Sequence, residues 1–408
     1  MTVPLPGRPS VAVAFMLGVG SRYEPLEQSG ISHFVEHMVF KGTAGFPTPR
    51  DISETIEGVG GVLDAGTDRE ATVLWTRVPA AELERALRLL ADMLLRPRFE
   101  PDEIAKERNV VIEELRMYQD NPQDVVQTVF DEVMWPDHPL GRDVAGREET
   151  VRGFTRDDCL AHMAAHVRPD TLVVSVAGGV EPADVQRVLE RHLDSWKTPA
   201  LPAQPDAEAA TAPHGPALRM TRRRVEQASV LVGARAPSYL DPRRFAVDIL
   251  NVVLGEGMSS RLFLELRERR GLVYDVHSFA SRLSDSGALG VGFGAEPRRA
   301  ATALRAAVRE LERLGTREVG DAELTKAKEY AKGRLMLHLE GTSALCEYAG
   351  QQLLLTGRIL TAPEITARYD DVSAADVRAA AREVLSNGLR CAVVGPFKSE
   401  TRFAAALA

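Results

Sequence analysis

The chain of 408 residues repeats itself once, and this limits its fold more than any other feature. Leu83, Leu87, Leu90 and Leu94 form a stripe at i, i+4, i+7 and i+11, the spacing of one helical face. About 220 positions later Leu304, Val308, Leu311 and Leu314 form its counterpart. Glu103-Ile104 is matched by Glu323-Leu324, and Thr171–Gly178 (TLVVSVAG) by Leu389–Gly395 (LRCAVVG). Between the copies, Thr198–Leu218 is rich in proline and alanine and lacks an apolar period, so it reads as an extended linker. Hairpin-like pairs such as Gly61–Ala65 with Ala71–Val78 supply antiparallel strands. The expectation is an α+β chain with two structurally similar domains, 1–197 and 219–408, joined by the linker 198–218. Each carries a mainly antiparallel sheet packed against helices.

Within the first copy lies the run Gly30–Thr43, GISHFVEHMVFKGT. If it is helical, His33, Glu36 and His37 share one face, because residues three and four apart are neighbours. Two neutral imidazoles four apart can hold one zinc ion and leave positions for a third ligand and a water. A carboxylate beside that water can take its proton and pass it to a leaving amine. The order H-x-x-E-H is the inverzincin pattern of metallopeptidases. Packing alone does not call for these residues. Phe34, Val35, Met38, Val39 and Phe40 already supply apolar surface, and burying two histidines and a glutamate unpaired would be costly.

A helix starting near Pro101-Asp102, with proline followed by acidic residues, carries Glu107 and Glu114 on one stripe with Val110 and Val111 between them. Carboxylates on a stripe that otherwise faces a core need a cation. Glu113 is the rival to Glu114, one residue and about 100° of helix away. The repeat offers an internal control. Glu114 and Glu107 fall opposite Arg334 and Ala327, and if Gly42 matches Gly255, then His33, Glu36 and His37 fall opposite Ala246, Ile249 and Leu250. Without its polar trio the second helix reverts to apolar packing.

Composition excludes more than it selects. With 44% hydrophobic and 26% charged residues the usage is ordinary for a globular protein, and Val11–Gly18 is too short to span a membrane and reads as a buried strand. A net charge of −8 gives no reason to expect nucleic acid or anionic membrane as partner. Cys159, Cys346 and Cys391 are odd in number and widely spaced, which argues against a disulfide framework and for core packing. Cytoplasmic residence is the expectation. His138, His162, His166, His192, His214, His277 and His338 show no ligand spacing; His162 and His166 are four apart but lack a carboxylate to complete a site.

These residues together resemble the pitrilysin-type zinc metallopeptidases, in the branch of the processing peptidases. In that family a glutamate ligand follows the motif after a gap like the one between His37 and Glu114, and another acidic residue precedes it by seven, as Glu107 does. The resemblance implies His33, His37 and Glu114 as ligands of one zinc ion per chain, Glu36 as general base and Glu107 as a supporting carboxylate. It implies two similar domains per chain, with two chains closing around a chamber. An arginine and a tyrosine seven apart in the partner's second domain reach the active site in that family; Arg267 and Tyr274 match them. Read from the residues alone, Arg267 is one of several solvated arginines on a helix ending at Gly271, and Tyr274 a core residue of a strand entered at Val273. Because this chain carries both sets, the resemblance implies an active homodimer. Gly60–Trp75 is similar to the family's edge strand, onto which a peptide substrate adds; Ala65 fits, whereas Asp64 stands where asparagine is usual. Of two acidic positions linked to a preference for arginine, Asp124 fills the first and Thr128 stands at the second. Relatives usually begin with an additional strand ahead of the segment equivalent to Pro4–Ser10, so the expectation is either a first sheet lacking one edge or a misassigned start site. The expected function is zinc-dependent endopeptidase action on peptides or unfolded segments; the alternative is a non-catalytic subunit of such a complex.

Overall fold

A computed structural model of the chain describes residues 1–193, 196 and 217–407. Apart from Ala217 and Leu218, the expected linker lies outside these residues. The chain forms two compact units, each an α+β assembly around a five-stranded sheet. The first draws on Met1–Arg116, Arg142–Glu208 and His338–Ile359, the second on Met117–Gly141, Ala209–Leu337 and Leu360–Ala408.

The first sheet contains β1 (Thr2–Pro4), β2 (Ser10–Leu17), β3 (Val62–Thr67), β4 (Thr72–Pro79) and β5 (Leu172–Gly178) in the order β1-β5-β2-β4-β3. The second contains β6 (Leu218–Arg222), β7 (Ala228–Arg235), β8 (Asp275–Arg282), β9 (Gly287–Ala295) and β10 (Arg390–Gly395) in the order β6-β10-β7-β9-β8. Raising each label of the first order by five gives the second. Each sheet is antiparallel except for one parallel pair, β1 with β5 and β6 with β10. The expected bare edge is therefore covered: Thr2, Val3 and Pro4 pair with Val176, Ala177 and Gly178, although the strand is only three residues long.

Helices of the first unit are α1 (Ile31–Val39), α2 (Pro49–Glu57), α3 (Leu83–Leu95), most of α4 (Pro101–Asp120), α6 (Glu148–Gly153), α7 (Arg156–His166), α8 (Pro182–Leu193) and α12 (Thr342–Thr356). Those of the second are α5 (Pro122–Met134), α9 (Arg244–Gly255), α10 (Pro297–Thr316), α11 (Asp321–His338), α13 (Ala362–Asp371), α14 (Ala374–Ser386) and α15 (Thr401–Leu407), with a π-helical segment at Phe263–Arg269. Each unit thus takes one helix from the other half of the sequence. On the first sheet, Val11, Val13, Phe15 and Leu17 of β2 enter the main core with Phe34, Met38, Leu87 and Leu90. The alternate residues Ala12, Ala14 and Met16 meet Cys346 of α12 on the opposite face. Burial of both faces explains why β2 reads as an unbroken apolar run instead of an alternating one. In the second unit, Val126, Val129, Phe130 and Met134 of α5 pack on Leu231, Ala392 and Val394.

The three cysteines are free and buried. His162 and His166 are buried on α7 with ring centroids 4.8 Å apart, and no third donor converges on them to make a metal site among the described residues. Burial and the neighbouring His166 push His162 down to about 3. His214 lies outside the described residues. Because the folded protein refuses a proton at His162 that the unfolded chain accepts, stability is full above the unfolded value near 6.5 and is lost as pH falls from there towards 3. Denaturant titrations should show His162 costing the wild type roughly 2 kcal/mol between pH 7 and pH 5, and His162→Leu should lose less over the same interval.

Candidate metal centre

Helix α1 places the motif. Ile31, Phe34, Val35, Met38 and Val39 recur at helical spacing and are all buried, each worth about 1.5–3 kcal/mol against exposure. The opposite face then presents His33, Glu36 and His37. Both ends of the helix are fastened. At its start, the buried Glu24 carboxylate accepts from Gly30 N at 2.7 Å and Ser32 N at 2.8 Å, satisfying amides that no helical carbonyl reaches. Gly30 has φ +95°, and a Cβ there would lie 2.6 Å from Ala145 O; one on Gly146 would lie 2.3 Å from Ser29 O. The two backbones cross too closely for any side chain. Beyond the C-terminus, the buried Asp92 of α3 accepts from Thr43 Oγ1 and from Gly45 N at 2.8 Å.

Helix α4 brings the carboxylates. Glu114 Oε1 lies 3.9 Å from His33 Nε2, and Glu114 Oε2 lies 3.5 Å from His37 Nε2. One donor atom from each of His33, His37 and Glu114 falls within 4.8 Å of the others, a spacing a single ion can bridge. Glu113 lies apart from this group, with a side chain 70% exposed that pairs with Arg116 at 2.6 Å. Glu107 is 4% exposed, with Oε1 2.9 Å from His37 Nδ1 and Oε2 2.6 Å from Lys41 Nζ. Burial pushes the Glu107 carboxyl up, but the hydrogen bonds from His37 and Lys41 outweigh it and hold the group below its ordinary value. An ionised Glu107 only accepts, so Nδ1 of His37 carries the hydrogen and Nε2 is the nitrogen left facing Glu114.

The electrostatics fit a cation. Burial and the adjacent His37 push His33 down to about 4, which keeps its lone pair available. Burial alone would lower His37 as well, but Glu107, Glu114 and Glu36 outweigh it and raise it, the response of an imidazole to three surrounding carboxylates. Nδ1 of His33 is buried and has no hydrogen-bond partner among the described residues. The donor set of two imidazoles and one carboxylate suits zinc and leaves room for a water.

Glu36 stands beside this group. Its Oε2 accepts from Thr67 Oγ1 at 2.6 Å, and burial raises its carboxyl. Thr67 ends β3, the free edge of the first sheet, and Ala65 lies on the same strand. The Ala65 N–H donates to the carboxylate of Asp64 at 2.9 Å and not to β4, so its backbone faces the open edge. Arg267 and Tyr274 belong to the second unit. The structure brings them together: the Arg267 guanidinium lies 5.0 Å from the Tyr274 ring centre and 4.7 Å from that of Phe263. Strand β8 begins at Asp275 and not at Val273, so Tyr274 precedes it and is 76% exposed instead of serving as a core residue. Asn121 caps this helix, accepting from Gln123 N at 3.1 Å; Asp124 accepts from Asn121 Nδ2 at 2.7 Å, and Thr128 Oγ1 donates to the Asp124 carbonyl. Sequence reasoning passed over Lys41, Thr67 and Glu24. Lys41 carried a local signal, four residues after His37 on the same face; Thr67 and Glu24 reach α1 only through tertiary structure.

Residues 2–148 match the family described as insulinase (peptidase family M16), and residues 153–330 match the peptidase M16 inactive domain. An uncharacterized zinc protease of Streptomyces coelicolor is 35% identical over 98% of this chain and 88% of its own length. An uncharacterized zinc protease of Bacillus subtilis is 35% identical over 95% of this chain and 93% of its own. The crystal structure of a protease from Helicobacter pylori superposes with a TM-score of 0.91 at 25% identity, covering 97% of this chain and 96% of that one. Sequence and architecture agree along nearly the whole length, and the chain belongs to the M16, or insulinase, family of peptidases.

Proposed function

We propose that this chain is a zinc-dependent endopeptidase, with one zinc ion per chain, that hydrolyses peptides or unfolded segments held as an added strand. The observation that carries this reading is the convergence of His33, His37 and Glu114 beside Glu36. Once bound, a zinc ion would polarise the scissile carbonyl and lower the pKa of a water molecule. His33, His37 and Glu114 hold it, while Glu107 and Lys41 fix the orientation and tautomer of His37. Glu36 takes a proton from the attacking water and returns it to the leaving amine. The open edge of β3 at Ala65 aligns the substrate backbone through main-chain hydrogen bonds, after the Asp64 carboxylate yields the Ala65 amide.

Arg267 and Tyr274 complete a site in trans across a homodimer closed around a chamber: the guanidinium clamps a substrate carbonyl and the phenol donates to the developing oxyanion. The 76% exposure of Tyr274, and the π-helical turn that carries Arg267, support such a role. Three buried, unpaired cysteines suit a reducing compartment such as the cytoplasm. Among the described residues no helix is long and apolar enough to cross a membrane. A second reading, a non-catalytic subunit, is favoured by the match of residues 153–330 to an inactive domain.

Metal analysis and peptide cleavage, before and after chelation, separate the two readings. Cleavage should disappear with the metal and return with zinc; chelation without effect removes the enzyme reading. Glu36→Gln should retain the metal and lose at least about 100-fold in kcat. Glu107→Ala should weaken metal binding by roughly 10- to 100-fold, measured by competition with a chromogenic chelator. An equal mixture of Glu36→Gln and Arg267→Ala chains should recover about a quarter of wild-type activity, since half the dimers are mixed and each has one intact site. Recovery at no ratio would count against completion in trans.

A further inference from the structure

We propose that Thr67 is the residue that positions the general base, holding one oxygen of Glu36 so that the other faces the attacking water; this rests on the peptidase reading above. Thr67 is the sole hydrogen-bond donor to Glu36 among the described residues, at 2.6 Å from its Oε2. A glutamate side chain has three rotatable bonds, and in a half-buried position one hydroxyl decides where its carboxylate rests. That hydroxyl is itself well anchored. Thr67 is β-branched and stiff about χ1, and it sits in the last pair of the β3–β4 ladder, opposite Thr72. Its side chain falls on the same side of β3 as those of Leu63 and Ala65, the side that packs into the core containing α1.

The surrounding hydroxyls suit a base that gains and loses a proton. The buried Thr72 donates its only hydroxyl proton to the Val19 carbonyl at 2.9 Å, so Thr72 Oγ1, 3.4 Å from Thr67 Oγ1, offers Thr67 an acceptor and no proton. Thr67 therefore has two places for its own proton. With Glu36 ionised, Thr67 donates to Oε2. When Glu36 has taken the water's proton on its other oxygen, Oε2 still accepts from Thr67 Oγ1. The contact persists through both states and the carboxylate need not move. Thr67 passes no proton on: the proton goes from water to Glu36 and from Glu36 to the leaving amine. Thr67 is thus a positioning residue and not a catalytic one.

Thr67→Val keeps the shape and removes the hydroxyl; Thr67→Ser restores it. In the purified protein Thr67→Val should lose roughly 10- to 100-fold in kcat, while KM stays within about threefold and metal content is unchanged. Thr67→Ser should recover to within a few-fold of wild type. Metal-free crystals of Thr67→Val should show the Glu36 carboxylate moved or divided between positions, against one position in the wild type. A kcat within twofold of wild type, a rise in KM with kcat kept, or an undisturbed Glu36 would each overturn the proposal. A wild-type chain that cleaves nothing removes the peptidase reading instead, and the metal-free crystals then still judge whether Thr67 holds Glu36.

Discussion

A carboxylate almost out of reach of water, Glu107, is the point on which the site turns. Leaving it buried and ionised without partners would cost several kcal/mol. Lys41 from just beyond α1 and His37 from within it meet its two oxygens, so the charge is answered by the helix that carries the metal motif and the turn that follows it. The same contact fixes the rotation of His37 and joins α4 to α1, which sets the approach of Glu114 about two helical turns further along the same stripe. Glu24 and Asp92 do for the ends of α1 what Glu107 does for its middle. Three buried acids thus hold one nine-residue helix in register with the rest of the first unit.

Much of this could be read from residues alone because the signals were local. The i, i+3, i+4 spacing of His33, Glu36 and His37 needs only a helix to bring them together, and the seven-residue step from Glu107 to Glu114 needs only a second. Glu114 and Glu113 differ by about 100° of helical rotation, and in the structure Glu114 lies beside the two histidines while Glu113 faces solvent and pairs with Arg116. The two stripes of leucines and the matched strand sequences were enough to announce two similar α+β units.

What escaped was long-range. Thr67 reaches Glu36 across 31 positions of sequence, and no periodicity links a strand end to a helix face. Tyr274 follows a glycine and a valine that look like the start of a strand, yet pairing begins only at Asp275, because β8 takes its register from β9, beginning opposite Gly294. The short β1 was missed because three residues carry no period; it exists because β5 offers it a parallel partner. The internal comparison also had a deeper reading than sequence gave it. Ala327, the counterpart of Glu107, is the buried residue of α11, so the two copies bury the same position and only one of them places a charge there.

The exchange of α5 and α12 between the two halves bears on how such a chain can be divided. A gene fragment ending near residue 197 would encode a first sheet whose Ala12, Ala14 and Met16 lack their cover, since Cys346 and Gly350 would belong to the other piece. The complementary fragment would leave Leu231, Ala392 and Val394 bare for want of Phe130. Neither half is self-sufficient, so the pseudo-repeat behaves as a single heritable unit: separation of its copies is opposed by the need to bury two sheet faces, and wherever the metal-binding copy persists, the copy that lost its ligands is carried with it.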